Sequence, residues 1–181
     1  EESVEVEANE NIHHLIEMHQ SGNKLIIDLQ KNTSISGTPV LNVYIKTASM
    51  NQVTAEGAAK VEFQNQLTGN YLDMELTGAS TFRGSVSVDE LVAKLDGAGK
   101  MEISGSSNSF DINADGASVM SDFNFATNTL NTNLDGGCNI SLTVNQKLNI
   151  KATGASNVFY KGNGVIESQN LSGASKIVKM D

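Results

Sequence analysis

The stretch Leu95-Asp96-Gly97-Ala98-Gly99-Lys100-Met101 decides how this chain is read, because it keeps returning. Downstream it recurs as Ala114-Asp115-Gly116-Ala117-Ser118-Val119-Met120 and as Leu134-Asp135-Gly136-Gly137-Cys138-Asn139-Ile140. Two further copies, at 152–158 and 171–177, carry Gly154-Ala155-Ser156 and Gly173-Ala174-Ser175. Upstream copies at 55–61 and 76–82 carry Gly57-Ala58-Ala59 and Gly78-Ala79-Ser80. The shared glycines at 57, 78, 97, 116, 136, 154 and 173 are separated by 21, 19, 19, 20, 18 and 19 residues. A repeat of about 19 residues is the length of one solenoid coil.

The residues between the glycines say what the coil is made of. Two before each glycine stand Ala55, Leu76, Leu95, Ala114, Leu134, Ala152 and Leu171. Four before stand Val53, Met74, Ala93, Ile112, Thr132, Ile150 and Gln169, and six before, in the middle coils, Leu72, Leu91, Phe110, Leu130 and Leu148. This is a period of two, the alternation of a strand with one apolar face. A second inward strand starts four after the glycine, at Val61, Phe82, Met101, Met120, Ile140, Val158 and Ile177. Gly105-Ser106-Ser107-Asn108, Asn145-Gln146-Lys147 and Lys161-Gly162-Asn163-Gly164 read as turns. No stretch leaves room for a crossover helix, so the expected fold is all-β, a parallel β-helix. Each corner needs a residue that accepts positive φ or a close backbone approach, which glycine does. The position after it holds only Ala or Gly, which predicts a tight corner; the next is a ladder of Ala59, Ser80, Gly99, Ser118, Cys138, Ser156 and Ser175.

Residues 1–50 read differently. Val4, Val6 and Ala8 alternate with Glu5 and Glu7 as a strand exposed on one face. Between Asn9 and His19 the spacing of Ile12, Leu15, Ile16 and His19, with Asn11 as a cap, predicts one short helix. Ser21-Gly22-Asn23 is a turn, Leu25 to Leu29 a second strand, and Val40 to Ile45 a third. The expected organisation is a capping section or irregular first coils over 1–50, running into regular repeats over 51–181 as one continuous domain.

Composition fits that picture. Of 181 residues 39% are hydrophobic, but only 5% are aromatic and none is Trp. A core of that kind is thin and built from aliphatic residues. Pro39 is the single proline, so strand amides elsewhere are free to donate. The net charge of −9 argues against nucleic acid or an anionic membrane surface as partner. One cysteine excludes an intrachain disulfide and a Cys-based zinc site. No run of about 18 apolar residues is present to form a membrane-spanning helix, and no leader is visible. Glu1-Glu2-Ser3 opens directly into a strand pattern, as in a chain whose leader has been removed.

The seven corners in register, above all Ser172-Gly173-Ala174-Ser175-Lys176, behind the order of Val4–Ala8, Asn9–His19, Leu25–Leu29 and Val40–Ile45, resemble the bacterial head GIN domain family. These are described as auto-transporter adhesins and are common in Bacteroidetes. The resemblance spans essentially the whole chain. It implies a right-handed parallel β-helix in a cell-envelope protein: periplasmic, an outer-membrane lipoprotein, or secreted. In the family a further strand or two usually precedes the position of Val4. It carries over no catalytic residue.

Several constellations could carry chemistry. The residue before each corner glycine is acidic in three successive coils, Asp96, Asp115 and Asp135. Coils stack about 4.8 Å apart, so this edge could hold a hard cation such as Ca²⁺. The plainer reading is that Asp before Gly favours turns and that solvent screens the charges. The same carboxylates sit at a spacing a glycosidase could use, which leaves a polysaccharide lyase or hydrolase as an alternative. Against it, Lys60 and Lys176 lie in coils without an Asp, although Arg83 and Lys100 lie near the corners too. His13, His14 and His19 beside Glu17 lack the three- or four-residue spacing of helical metal ligands and read as surface histidines. Cys138 sits in the small-residue ladder, as a buried structural thiol. Tyr44, Tyr71 and Tyr160 are too scattered to define a stacking platform. The expectation is a non-enzymatic domain without cofactor, binding a glycan or a cell-surface protein, with a structural homo-oligomer as a further alternative.

Overall fold

The computed structural model describes residues 2–181. Contacts divide the chain into two compact units, 1–48 and 49–181.

The first unit holds two small antiparallel sheets. β1 (Ser3–Ala8) pairs with β4 (Leu41–Lys46), setting Val4 opposite Ile45, Val6 opposite Val43 and Ala8 opposite Leu41. On the other face Glu7 accepts hydrogen bonds from Asn42 Nδ2 (3.0 Å) and Tyr44 OH (2.8 Å). Those two donors hold its carboxyl below the usual range. β2 (Ile16–Ser21) pairs with β3 (Lys24–Leu29) as a hairpin.

This corrects the expected helix over Asn9–His19. Only a single 3₁₀ turn forms, His13–Leu15, and it has no side-chain cap. Ile16 and the residues after it lie in β2, with Ile16 opposite Leu29 and Met18 opposite Ile27. The apolar residues at helical spacing belong to two elements. A tight turn at Gly22, with φ of +61°, folds the second half back on β3. Cross-strand pairing then satisfies more backbone groups than one short, uncapped helix could.

The second unit is the solenoid. Its strands are β5 (Gln52–Ala55), β6 (Lys60–Glu62), β7 (Leu67–Leu76), β8 (Thr81–Leu95), β9 (Lys100–Ala114), β10 (Val119–Leu134), β11 (Asn139–Ala152), β12 (Asn157–Lys161), β13 (Val165–Leu171) and β14 (Lys176–Lys179). All pair in parallel: β5–β7–β8–β9–β10–β11–β12–β14, with β6 on β8 and β13 on β11. Each of β8 to β11 runs most of the way round one coil, from one glycine corner to the next. The result is a solenoid of about seven coils, as the glycine steps predict.

Equivalent residues stack with little drift. Leu72 pairs with Leu91, Leu91 with Phe110, Phe110 with Leu130 and Leu130 with Leu148, and all five are buried. Phe110 meets Phe125 edge-on at 5.5 Å, and Phe63 meets Phe82 the same way at 4.8 Å. Where coils differ in length, the register shifts. The 20-residue coil places its surplus between Met120 and Phe125, where Asn124 N donates to Asp122 Oδ1 at 2.8 Å. On β11, Asn145 and Gln146 occupy the space that Asn128 fills alone on β10.

The corner glycines meet both physical demands at once. Gly116 has φ of +75°, and a Cβ there would overlap the carbonyl oxygen of Gly97 one coil below. That oxygen is already taken, since Ala117 N donates to it at 2.7 Å, so the backbone ladder continues through the bend. The Ala58–Ala174 positions after the glycines turn out to face solvent, apart from half-buried Gly137. The following ladder is the one that closes the corner. Ser80 Oγ donates to Thr77 O (2.8 Å), Ser118 Oγ to Asp115 O (3.0 Å) and Cys138 Sγ to Asp135 O (3.3 Å). In each case the acceptor is the carbonyl three residues back, which buckles the turn.

Candidate functional site

Outward-facing side chains on a parallel solenoid form rows along its axis, and these rows are where a partner can be met. Three of them distinguish one side of the solenoid from another.

The first is the acidic edge. Asp96, Asp115 and Asp135 are exposed and stand in one column, each amide donating to the coil below. Two of the three carboxylates are engaged locally. Asp115 Oδ1 accepts from the amide of Gly116, and Asp135 Oδ1 from Gly136 N (2.9 Å) and from Thr153 Oγ1. Among the described residues no three His, Cys, Asp or Glu side chains are grouped to hold a metal ion. Of the cations near the corners, Lys60, Arg83, Lys94 and Lys100 are engaged with glutamates, whereas among the described residues Lys176 forms no ion pair. Arg83 and Lys100 both pair with Glu102, whose carboxyl they hold below its usual range, Lys100 being the stronger influence. Lys60 pairs with Glu62 at 3.2 Å. Lys94 pairs with Glu75 at 2.7 Å, which raises the Lys94 ammonium pKa, with Asp96 adding a smaller pull.

The second is an amide row on the strands that precede the corners. Asn131 Nδ2 donates to Asp111 Oδ1, Asn149 Nδ2 to Asn131 Oδ1 (3.0 Å), and Ser168 Oγ to Asn149 Oδ1 (2.9 Å). A recess of about 250 Å³ opens beside it. These groups satisfy one another along the axis.

The third row is different. A shallow cleft of about 560 Å³ runs across five coils, beginning at the first residues of β7. One side is the row Asn70, Asp89, Asn108, Asn128 and Asn145; the other is Thr68, Ser87, Ser106 and Ala126, all short. Between them lie Val88, Ser107 and Thr127, which face inward and are buried, so the cleft floor is largely backbone. Ser107 Oγ donates to Thr127 Oγ1 at 3.0 Å, and Thr127 Oγ1 to Thr129 O at 3.0 Å, which satisfies both hydroxyls beneath the floor. In the outer row the one bond is Asn128 Nδ2 to Asn108 Oδ1 at 3.0 Å. Among the described residues Asn70, Asp89 and Asn145 make no side-chain hydrogen bond, and all three are exposed. Tyr71, 42% exposed, follows Asn70 at one end.

Gly105–Asn108 and Asn145–Lys147, which read as turns in the sequence, lie within β9 and β11 and carry part of this row. A signal for the row was there. Asn70, Asp89, Asn108 and Asn128 each stand eight residues before a corner glycine, and Asn145 stands nine before Gly154.

The profile described as "Putative auto-transporter adhesin, head GIN domain" matches residues 1–164. The chain belongs to the head GIN domain family. Solved structures share this fold at low identity. A putative adhesin from Bacteroides fragilis superimposes with a TM-score of 0.90 at 18% identity, covering 99% of this chain and 83% of that one. A putative lipid binding protein from Parabacteroides distasonis gives 0.75 at 18% identity, with 99% and 85% covered. A putative adhesin from Parabacteroides merdae gives 0.66 at 16%, with 99% and 84% covered. No curated protein matches the chain.

Within this head GIN domain the remaining reactive groups are placed as structure. Cys138 is buried in the corner ladder, and desolvation pushes its thiol pKa up, away from thiolate. His13, His14 and His19 are exposed; the first two lie in the 3₁₀ turn and the third in β2.

Proposed function

We propose that this chain is a non-enzymatic, adhesin-like module of the cell envelope, which binds a surface partner through the outer rows of its solenoid. One observation carries the reading. Polar side chains are repeated along open rows, while most of the groups that could do chemistry are engaged in local hydrogen bonds and ion pairs. Of the corner carboxylates, Asp115 and Asp135 bond their own backbone or the next coil, and the corner cations Lys60, Arg83 and Lys100 pair with glutamates. General acid–base or metal-assisted cleavage needs such groups to converge on one reacting bond. A repeated flat face instead offers many weak contacts that add up along an extended partner. Family membership supports an envelope location and an adhesin-like role.

The lipid binding named for the Parabacteroides distasonis protein is a weaker guide here. The solenoid interior is filled by Phe82, Phe110, Phe125 and the stacked leucines, so a lipid would have to lie on the surface.

The test is to probe arrays of acidic and neutral glycans and extracellular proteins with the whole chain, and to assay each hit for product. Binding without new reducing ends or unsaturated sugars is the expected result. Turnover of any bound polysaccharide would replace this reading with the enzymatic one.

A further inference from the structure

The adhesin-like reading leaves the partner's chemistry open, and the cleft on the third row narrows it. We propose that the cleft lined by Asn70, Asp89, Asn108, Asn128 and Asn145 is a binding site for an extended, neutral, β-1,4-linked glycan lying along the solenoid axis. This rests on the binding reading above and assigns it a place and a ligand class.

Three features of the cleft point the same way. The first is pitch. Coils repeat at about 4.8 Å, close to the advance of one sugar in an extended β-1,4-linked chain, so the chain moves on by about one sugar per coil while successive sugars, turned over relative to one another, offer alternate edges to the row. The second is free hydrogen-bonding capacity. An amide offers both a donor and an acceptor, as a sugar hydroxyl requires. The row along Asp111, Asn131, Asn149 and Ser168 spends that capacity on itself. Among the described residues the cleft row keeps it: Asn70, Asp89 and Asn145 have no side-chain partner, and Asn108 and Asn128 share one bond. The third is shape and charge. Ser87, Ser106 and Ala126 are short, which opens the opposite side to a ring laid flat against backbone. Among the described residues Asp89 is the one charged residue lining the cleft, and no Lys or Arg does so. An acidic polysaccharide would meet repulsion there and on a chain of net charge −9. A neutral glycan meets neither.

The register makes a prediction that needs no variant. Five coils line the cleft, so the affinity of the intact chain for chito- or cello-oligosaccharides, measured by calorimetry, should climb from disaccharide to about pentasaccharide. It should then level off up to the octasaccharide. Replacing Asn108→Ala together with Asn128→Ala should weaken the longest probe about tenfold. Asn133→Ala, on the neighbouring strand face, should leave it unchanged. Circular dichroism and melting temperature confirm that each variant is folded. A plateau near five units with loss in the double variant supports the site. Affinity independent of length, equal loss in Asn133→Ala, tighter binding of acidic than neutral oligosaccharides, or no binding of either series overturns it. In the last case any protein partner found on the arrays would leave the adhesin-like reading standing without this site.

Discussion

Residues 2–48 and residues 49–181 are both made of short apolar and polar alternations, yet they bury them very differently. In the first unit Ile12 is the one buried hydrophobic residue among those described. Val4, Leu41, Ile45 and Met18 are all exposed, and Tyr44 is 54% exposed. Each of its sheets has two strands, and a two-stranded sheet covers little of its own apolar face. In the solenoid the same kind of strand is stacked on another coil, above and below, and its inward residues from Val53 to Tyr160 form one core. The difference lies less in the residues than in repetition. A coil cannot bury its face alone, but its neighbours complete it.

The sharpest way to break that comparison is to empty the core on one side of it. Phe110→Ala removes a ring with no exposed surface, packed on Phe125, and should cost about 3–5 kcal/mol. Val4→Ala in the first unit should cost about 0.5 kcal/mol or less, because Val4 is 39% exposed. Urea unfolding followed by circular dichroism measures both. Equal losses would mean that the first unit depends on burial as much as the solenoid does.

The next largest contrast lies within the glycine column. Gly57 and Gly116 have almost the same φ, +76° and +75°. A Cβ at Gly57 meets nothing within 4 Å, whereas at Gly116 it runs into Gly97 O. Gly57→Ala should therefore cost only the backbone strain, about 1–3 kcal/mol. Gly116→Ala should cost distinctly more, since the coils must also part. Equal melting temperatures for the two variants would show that φ alone explains the glycines and that coil contact does not.

This column also shows what could be read in advance. The steps between glycines, the inward apolar residues and the small ladder were legible because each coil faces the same environment and selects the same residue type. The hairpin over Ile16–Leu29 was not legible, because it occurs once. With Ile12, Leu15, Ile16 and His19 at helical spacing, nothing local says that a 3₁₀ turn ends at Leu15 and pairing begins. The cleft row was hidden for another reason. Asn and Ser at a bend satisfy a turn and a binding face equally well, and only the absence of internal partners at Asn70, Asp89 and Asn145 separates the two.

Smaller effects sharpen the same account. Thr132 occupies an inward position between Ile112 and Ile150, and its hydroxyl is buried without a partner. Thr132→Val should stabilise the solenoid by about 1 kcal/mol, because an unpaired buried hydroxyl costs more than it returns. A loss of stability instead would show that the hydroxyl is satisfied. The smallest effect should come from Cys138→Ser. Ser118 and Ser80 already make the equivalent bond to the carbonyl three residues back, so the change should stay within about 1 kcal/mol. In the folded wild type, the Cys138 thiol should react with Ellman's reagent far more slowly than in urea.

Amide hydrogen exchange tests the central claim, that stacking of coils rather than strand content holds this chain together. The corner amides of Ala98, Ala117 and Ala155, which donate to the coil below at 2.6–2.8 Å, should exchange only through global unfolding of the solenoid. The ladder amides of β1 and β4 should exchange orders of magnitude faster. Equal protection in both units, or fast exchange at the middle corners, would contradict it.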